Sequence, residues 1–295
     1  MKLLLAALAA YLFPVMAATA ATSEVVTLAG TTVAVWAPDG RAKEKLPVIL
    51  FSHGVFSCAT QSRFLTMAFA DAGYLVFAPN HRDSMCDRSR MQIPANALGT
   101  WDETTFRDRA DDMRNLIAAI RTEPRFAARA DFTRLGLVGH SLGGYTVLGL
   151  AGAWPSWKLP GVKAVLALSP YGEPYLARGA LKRLAAPVMY QGGTRDMPLT
   201  PPLRRPGGAY DQSPTTKYYF EFEGAGHLAW QDNGDPSTRD PILAVSLAFL
   251  EHYVKGLPAA PELTYKSGGV ALFRYDSELG RGGDPLPNGQ SSSRP

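Results

Sequence analysis

Residues 135–144 read LGLVGHSLGG, and this stretch decides the fold. Its first four residues form a short apolar run, which is typical of a strand buried on both faces. A G-x-S-x-G pattern follows at residues 139–143, and residues 144–151 have the pattern of a helix. Ser141 is therefore predicted to lie on the sharp strand-to-helix turn that holds a nucleophilic serine above the edge of a sheet. The flanking glycines fit this turn because a side chain there would collide within it.

Apolar runs of the same kind recur along the chain, each bounded by turn residues. They predict buried strands at residues 48–51, 74–78, 135–138, 162–168 and 188–190. Amphipathic patterns predict helices at residues 62–72, 104–123 and 242–254. Two β-branched runs, at residues 24–28 and 31–36, predict an antiparallel hairpin that opens the fold. The expected class is α/β, with a mostly parallel central sheet flanked by helices.

The composition is that of a globular protein with room for a sizeable core. Of 295 residues, 46% are hydrophobic and 19% are charged, which excludes a disordered or fibrous chain. The net charge of +4 is not clustered, so we expect no nucleic-acid partner. We predict one catalytic domain over residues 21–278 and a disordered Gly-, Pro- and Ser-rich tail over residues 279–295.

The first residues have the pattern of a secretory signal. Apolar residues 3–13 follow a lysine, and small residues follow at 17–21, so we predict a signal peptide at residues 1–20 and a secreted or periplasmic protein. The apolar run is about half of the roughly 20 residues that a membrane span needs. Export permits a disulfide between Cys58 and Cys86, and the alternative is two unlinked apolar side chains.

A serine hydroxyl is a weak nucleophile at neutral pH, so Ser141 needs a base and an acid that orients the base. The chain contains five histidines. His227 is the preferred base because it follows a predicted strand at residues 217–222, in a loop that can reach over the sheet. His140 occupies only the variable position of the serine motif. The alternative for His227 is a structural histidine.

The acid is sought between the serine and the histidine, which is the chain order in hydrolases with this turn. Asp196 follows the predicted strand at residues 188–190, where a carboxylate reaches a loop histidine and fixes its tautomer. Glu173 and Asp211 are the rivals. The alternative for Asp196 is a turn aspartate paired with Arg195.

A tetrahedral intermediate needs backbone N–H donors for its negative oxygen. We predict the N–H of Leu142, directly after the serine, as one donor. The other is predicted in the turn after the strand that ends at Ser52, where residues 53–56 read HGVF. Within that turn we choose Val55 over Phe56.

Four short motifs stand in this order along the chain: LFSHG at residues 50–54, NHRD at 80–83, GHSLGG at 139–144 and GH at 226–227. Together they resemble the platelet-activating-factor acetylhydrolase and dienelactone-hydrolase-like branches of the α/β-hydrolase superfamily. The resemblance covers about residues 46–256. It implies a serine-dependent carboxylic ester hydrolase without a metal or organic cofactor, and it supports Val55 and Leu142 as the oxyanion donors.

The sequence departs from both branches. In the acetylhydrolases the acid follows the strand after the serine turn, where this chain has Ser169, so the acid is predicted one strand later, at Asp196. Dienelactone hydrolases proper use a cysteine where this chain has Ser141, so dienelactone is not the expected substrate. The family order also places Cys58 and Cys86 at one edge of the sheet, where a disulfide would brace the oxyanion turn.

Signals for the substrate are few, and a small-molecule, lipid or polyester substrate is expected. The candidates for an apolar acyl pocket, with a core position as the alternative for each, are Phe56, Tyr171, Met197 and Trp230. Two long segments, residues 83–99 and 198–216, are candidate substrate walls. The same apparatus opens amides, so an amidase or peptidase is one alternative function, and a noncatalytic binding protein on this scaffold is another. The oligomeric state has no signal in the sequence.

Overall fold

A computed structural model describes residues 21–40, 45–92 and 100–277, and in these residues the strands form one mixed sheet. The described strands are β1 (Ala21–Leu28), β2 (Thr31–Pro38), β3 (Leu46–Ser52), β4 (Leu75–Pro79), β5 (Ala130–His140), β6 (Val162–Leu168), β7 (Val188–Gly193), β8 (Lys217–Phe222) and β9 (Val270–Asp276). Their order is β1-β2-β4-β3-β5-β6-β7-β8-β9. Neighbours among β3 to β8 pair in parallel, whereas β2 and β9 pair antiparallel. The predicted mostly parallel α/β sheet is confirmed.

The predicted N-terminal hairpin is also confirmed. β1 and β2 pair from Ala21 opposite Pro38 to Leu28 opposite Thr31. Ala29 and Gly30 form the connection, with φ values of 52° and 70°. Left-handed backbone at both positions of a two-residue loop matches the twist of the strands that it joins. The predicted signal peptide (residues 1–20) and tail (residues 279–295) lie outside the described residues.

Helices cover both faces of the sheet. The described helices are α1 (Arg63–Asp71), α2 (Arg107–Thr122), α3 (Pro124–Ala127), α4 (Leu142–Leu148), α5 (Glu173–Leu176), α6 (Thr200–Arg204), α7 (Ala209–Gln212) and α8 (Arg239–Lys255). The predicted helices at residues 62–72, 104–123 and 242–254 correspond to α1, α2 and α8, and the predicted helix at residues 144–151 overlaps α4. No helix among the described residues combines the length and the apolar character that a membrane crossing requires.

The strand β3 shows how the sheet is buried. Val48 and Leu50 lie in the core that includes side chains of α2 and α4. Ile49 and Phe51 lie in the core that includes side chains of α1 and α8. All four side chains are fully buried. Because helices cover both faces, the strand has no polar alternation, which explains its uninterrupted apolar sequence.

Some regular structure was not predicted from the sequence. β9 extends the sheet as an antiparallel edge strand beside β8. The segment at residues 198–216, a predicted candidate substrate wall, contains the short helices α6 and α7. Residues 83–92 of the other long segment include a 3-10 turn at Met85–Arg90. The rest of that segment, residues 93–99, lies outside the described residues.

The strand order places a crevice at one point of the sheet. β3 and β5 are neighbours, but the chain leaves β3 toward β4 on one side and continues after β5 toward β6 on the other. The loops at the carboxyl ends of β3 and β5 therefore diverge, and ligands of open α/β sheets bind at such a switch point. Both the predicted oxyanion turn and Ser141 follow these two strands.

Candidate active site

Ser141 occupies a sharp turn between β5 and α4, with φ 56° and ψ −116°. Its backbone N–H donates to the carbonyl of Leu168 over 2.9 Å, which fixes the turn to β6. A Cβ on Gly139 would lie 2.2 Å from the Gly143 carbonyl oxygen. A Cβ on Gly143 would lie 1.9 Å from the Ser52 carbonyl oxygen. Only glycine fits at these two positions, which is the reason for the motif that the sequence analysis expected.

The structure brings the three predicted triad residues together. His227 Nε2 lies 3.0 Å from Ser141 Oγ, and His227 Nδ1 lies 3.1 Å from Asp196 Oδ1. Asp196 follows β7 and is buried, whereas the His227 side chain is about one-third exposed (36%). A serine, an imidazole and a buried carboxylate in this row have the geometry of nucleophile, base and orienting acid.

The two rival acids are engaged elsewhere. Glu173 Oε1 lies 3.6 Å from an Arg205 nitrogen. Asp211 Oδ1 accepts a hydrogen bond of 2.6 Å from Arg274. Both carboxylates thus form ion pairs with arginines, and it is Asp196 that contacts His227.

Ser169 is a site residue that the sequence analysis did not assign. It follows β6, is fully buried and has a left-handed φ of 42°. Its hydroxyl donates to Asp196 Oδ2 and lies 3.0 Å from His227 Nδ1. The signal that marks it in the sequence is its position, since it stands where the acetylhydrolases carry their acid.

The predicted oxyanion donors lie at the start of α4 and in the turn after β3. Leu142 is the first residue of α4, where a helix leaves the backbone N–H without an intrahelical acceptor. Val55 lies in the turn after β3, and its neighbour Gly54 approaches the nucleophile so closely that a Cβ there would lie 3.4 Å from the Ser141 Cβ. Two backbone N–H groups next to a serine can bind the oxygen of a tetrahedral intermediate.

A buried ion pair lies beneath the oxyanion turn. Arg109, on α2, donates to the carbonyl oxygens of His53 over 2.7 Å and of Gly54 over 3.3 Å. Its guanidinium also binds both carboxylate oxygens of Asp83, over 2.9 and 2.8 Å. Burial alone raises the pKa of Asp83, but the attraction and hydrogen bonds of Arg109 outweigh it and hold that pKa below its usual value.

Two buried histidines support the same turn. His53 donates through Nδ1 to the Gly54 carbonyl over 2.7 Å and accepts the His81 backbone N–H at Nε2 over 3.0 Å. His81 Nδ1 lies 3.0 Å from an Asp112 oxygen, and its Nε2 lies 2.9 Å from Ser52 Oγ. Burial is the main cause that lowers the pKa of both imidazoles well below the usual value. Ser52 is fully buried, so this second serine–histidine–aspartate row is closed to substrate.

The predicted disulfide between Cys58 and Cys86 is present, with a Cα–Cα distance of 5.6 Å. It links the segment after β3 to the segment after β4. The Ser84 hydroxyl donates to the Ser57 carbonyl over 2.8 Å beside it. The oxyanion turn is thus fastened to the neighbouring loop by a covalent and a hydrogen-bonded link.

Three apolar side chains next to the candidate catalytic residues face solvent. Phe56 is 47% exposed, Met197 is 69% exposed and Leu228 is 46% exposed. Tyr171 is partly buried, with its ring centroid 4.9 Å from that of Trp101. Phe56, Met197 and Tyr171 are among the predicted pocket residues. Leu228 was not predicted, because the sequence does not show that its apolar side chain faces solvent.

Trp230 corrects the predicted pocket. Its side chain is fully buried, and its Nε1–H donates to Gln191 Oε1 over 2.8 Å. Its ring lies nearly parallel to that of His140, with a centroid separation of 6.1 Å. The indole belongs to the core because its one polar atom finds a buried partner there.

The described residues contain no cluster of three His, Cys, Asp or Glu side chains arranged to hold a metal ion.

Comparison with known families adds an independent observation. The family model of platelet-activating factor acetylhydrolase, isoform II, matches residues 7–101, about a third of the chain. The match includes the oxyanion turn and the NHRD motif, and it ends before Ser141. The resemblance to the acetylhydrolases is confirmed over this part, and it supports a serine ester hydrolase in general. No curated protein matches the chain significantly.

Proposed function

We propose that this chain is a serine carboxylic ester hydrolase that acts through Ser141, His227 and Asp196 and forms an acyl-enzyme. The observation that carries the proposal is the continuous row from Ser141 Oγ to His227 over 3.0 Å and from His227 to Asp196 over 3.1 Å. The backbone N–H groups of Val55 and Leu142 beside that row add support. The acetylhydrolase match over residues 7–101 agrees with this class of reaction.

In the acylation step, Ser141 Oγ attacks the ester carbonyl carbon while His227 Nε2 takes the hydroxyl proton. The carbonyl oxygen becomes negative and accepts hydrogen bonds from the N–H groups of Val55 and Leu142. When the ester C–O bond breaks, the imidazolium gives its proton to the departing alkoxide. Asp196 stabilises the imidazolium and keeps Nε2 facing the serine.

In the deacylation step, water takes the place of the alcohol. His227 Nε2 removes a proton from the water as its oxygen attacks the acyl carbon of the ester on Ser141. The bond between the acyl carbon and the serine oxygen then breaks, and the proton returns from the imidazolium to that oxygen. The products are a carboxylic acid and the free enzyme.

The proposal includes export and an apolar acyl group. The disulfide between Cys58 and Cys86 fits an oxidising compartment, and the sequence predicts a signal peptide at residues 1–20. The exposed side chains of Phe56 and Met197, which follow the candidate oxyanion donor Val55 and the candidate acid Asp196 in the sequence, offer apolar surface to an acyl chain.

The direct test is hydrolysis of p-nitrophenyl esters, from acetate to laurate, by the mature protein and by Ser141→Ala. We expect the variant to lose about 10⁴-fold or more in kcat, because the nucleophile of such a triad carries that much of the rate. Ser23→Ala, at an exposed serine on β1, is the matched control and keeps full activity. Paired ester and amide substrates separate an esterase from an amidase. Equal rates in the wild type and Ser141→Ala would overturn the proposal.

A further inference from the structure

Gln61 and His140 form a hydrogen-bonded path from the oxyanion turn to the catalytic histidine loop. The Gly54 backbone N–H donates to Gln61 Oε1 over 2.8 Å. Gln61 Nε2 lies 3.1 Å from His140 Nδ1. His140 Nε2 lies 2.9 Å from the backbone carbonyl oxygen of His227. None of these contacts belongs to the row that joins Ser141, His227 and Asp196.

The chemistry of the groups gives the path one direction. A carbonyl only accepts, so His140 must carry its proton on Nε2 and donate it to the His227 carbonyl. A neutral His140 then has an unprotonated Nδ1, which accepts from the Gln61 amide NH₂. The amide oxygen of Gln61 is left to accept the Gly54 N–H. Every donor has an acceptor, and bonds that run in one direction polarise one another.

The electrostatics of His140 keep it in the state that the path requires. Its side chain is fully buried. Burial, followed by the nearby His227 imidazole, lowers the pKa of His140 to about 3. His140 is therefore neutral at physiological pH and has one donor and one acceptor nitrogen. Its ring is enclosed between the rings of His227, 4.8 Å away, and Trp230, 6.1 Å away.

Gln61 takes part in further hydrogen bonds through both its side chain and its backbone. Its amide nitrogen also donates to Ser62 Oγ over 3.0 Å, and that hydroxyl donates to the Trp230 carbonyl over 2.6 Å. The Gln61 backbone carbonyl accepts from the Asp232 N–H over 2.9 Å. The glutamine side chain is thus held at both ends of its amide, by Gly54 and Ser62 in the segment between β3 and α1 and by His140 at the end of β5.

We propose that Gln61 and His140 are positioning residues that couple the placement of the oxyanion turn to the placement of His227. The inference rests on the proposed function, because it assigns a role within that site. The oxyanion donor Val55 follows Gly54 directly, so a change at Gln61 moves both the donor and the base. A small error in either position lowers the rate of the chemical step without changing substrate binding.

Kinetics give the first test, with Gln61→Leu, His140→Phe and the double variant. We expect each single variant to lose about 10- to 100-fold in kcat while KM changes by less than about twofold. Because both residues act in one path, we expect kcat of the double variant to be about equal to kcat of the less active single variant. Affinity for an alkyl boronic acid, which forms a tetrahedral adduct on the serine, falls by the same factor as kcat/KM.

Hydrogen exchange gives a test that does not depend on activity. Residues 52–57 contain the Gly54 N–H, and residues 226–232 contain the His227 loop. We expect Gln61→Leu and His140→Phe each to speed exchange in both segments, because the path joins them. The matched control is His252→Phe, since His252 Nδ1 lies 2.7 Å from the backbone carbonyl oxygen of Leu257 near the end of α8, in another part of the fold. We expect this control variant to leave the rate of hydrogen exchange in both segments, and kcat, unchanged.

The outcomes separate the two proposals. Wild-type activity that survives in Ser141→Ala overturns the proposed function, and the exchange data alone then decide the coupling. Wild-type activity with normal kcat in Gln61→Leu overturns the coupling and leaves the esterase standing. Exchange that changes only in the segment next to each substitution also overturns the coupling, because the residues would then be local supports.

Discussion

The two carboxylate oxygens of Asp196 have different partners. Oδ1 lies 3.1 Å from His227 Nδ1, whereas Oδ2 accepts a hydrogen bond from the Ser169 hydroxyl. The same hydroxyl lies 3.0 Å from His227 Nδ1, so Ser169 contacts both the candidate acid and the candidate base. A buried carboxylate oxygen without this donor would be unsatisfied. Ser169 therefore holds the carboxylate in one orientation beside the imidazole.

We expect Ser169→Ala to lower kcat about 10-fold with little change in KM. A hydrogen bond to a charged group contributes about 1.5–3 kcal/mol, and part of that is lost when the imidazolium forms beside a less well-held carboxylate. Steady-state kinetics on one ester check the prediction. Ser246→Ala, at a fully buried serine on α8 whose Oγ accepts a hydrogen bond from Gln191, is the control. Equal kcat values in the two variants would remove Ser169 from the site.

Residues with a local signature were predictable, whereas residues defined by contacts across strands were not. Ser141 stands in a motif whose glycines are required because a Cβ on Gly143 would lie only 1.9 Å from a backbone oxygen. Gln61 lies 79 residues from His140 in the sequence, and only the sheet brings them together. Trp230 follows a catalytic loop in the sequence, but its burial depends on a hydrogen-bond partner that the local pattern does not reveal.

The oxyanion turn is held in place by residues of neighbouring elements. Arg109 binds its carbonyl oxygens from α2, and the Cys58–Cys86 disulfide ties the following residues to the loop after β4. The side chains of His53 and Gln61 also bond to Gly54 in this turn. The disulfide is the covalent member of this set of attachments.

We expect Cys58→Ser/Cys86→Ser to lower the free energy of unfolding by about 3.5 kcal/mol. The bridge closes a loop with a sequence separation of 28 residues, and the chain-entropy relation gives that magnitude for such a loop. Urea unfolding of the wild type with and without a thiol reductant checks it. The double variant is unaffected by the reductant. Wild-type stability that does not change on reduction would contradict the assigned brace.

Elements with a buried, repeating pattern were predictable, and edge or proline-rich elements were not. The parallel strands are buried on both faces, so their sequences are uninterrupted apolar runs. β9 is paired on one side only and is mostly half-buried, so its pattern is weak. The helices α6 and α7 have only five and four residues, too few for a helical period to show.

At the scale of the molecule, three buried histidines connect stability to pH. Burial is the main cause that lowers the pKa of His53, His81 and His140. In the unfolded chain these groups bind protons near pH 6.5, whereas folded His140 does so only near pH 3. Below about pH 6.5 the unfolded state therefore binds more protons, and the free energy of unfolding falls as pH decreases.

We expect the free energy of unfolding to fall by up to about 1.4 kcal/mol per pH unit for each of these histidines below about pH 6.5. Urea unfolding at several values between about pH 7.5 and pH 5 measures the slope. His140→Phe removes one of the three contributions, so its slope is smaller than that of the wild type. A stability that stays constant over this range would show that the three imidazoles are not neutral and buried.

The proposed function requires Ser141 to be a nucleophile activated by His227, and covalent trapping tests this role most directly. The mature protein is treated with diethyl p-nitrophenyl phosphate, and the released nitrophenolate and the modified peptide are measured together. We expect one nitrophenolate per chain, a diethylphosphoryl group on Ser141, and a reaction at least about 10³-fold slower in His227→Ala. A label on another residue, or an equal rate in His227→Ala, would contradict it.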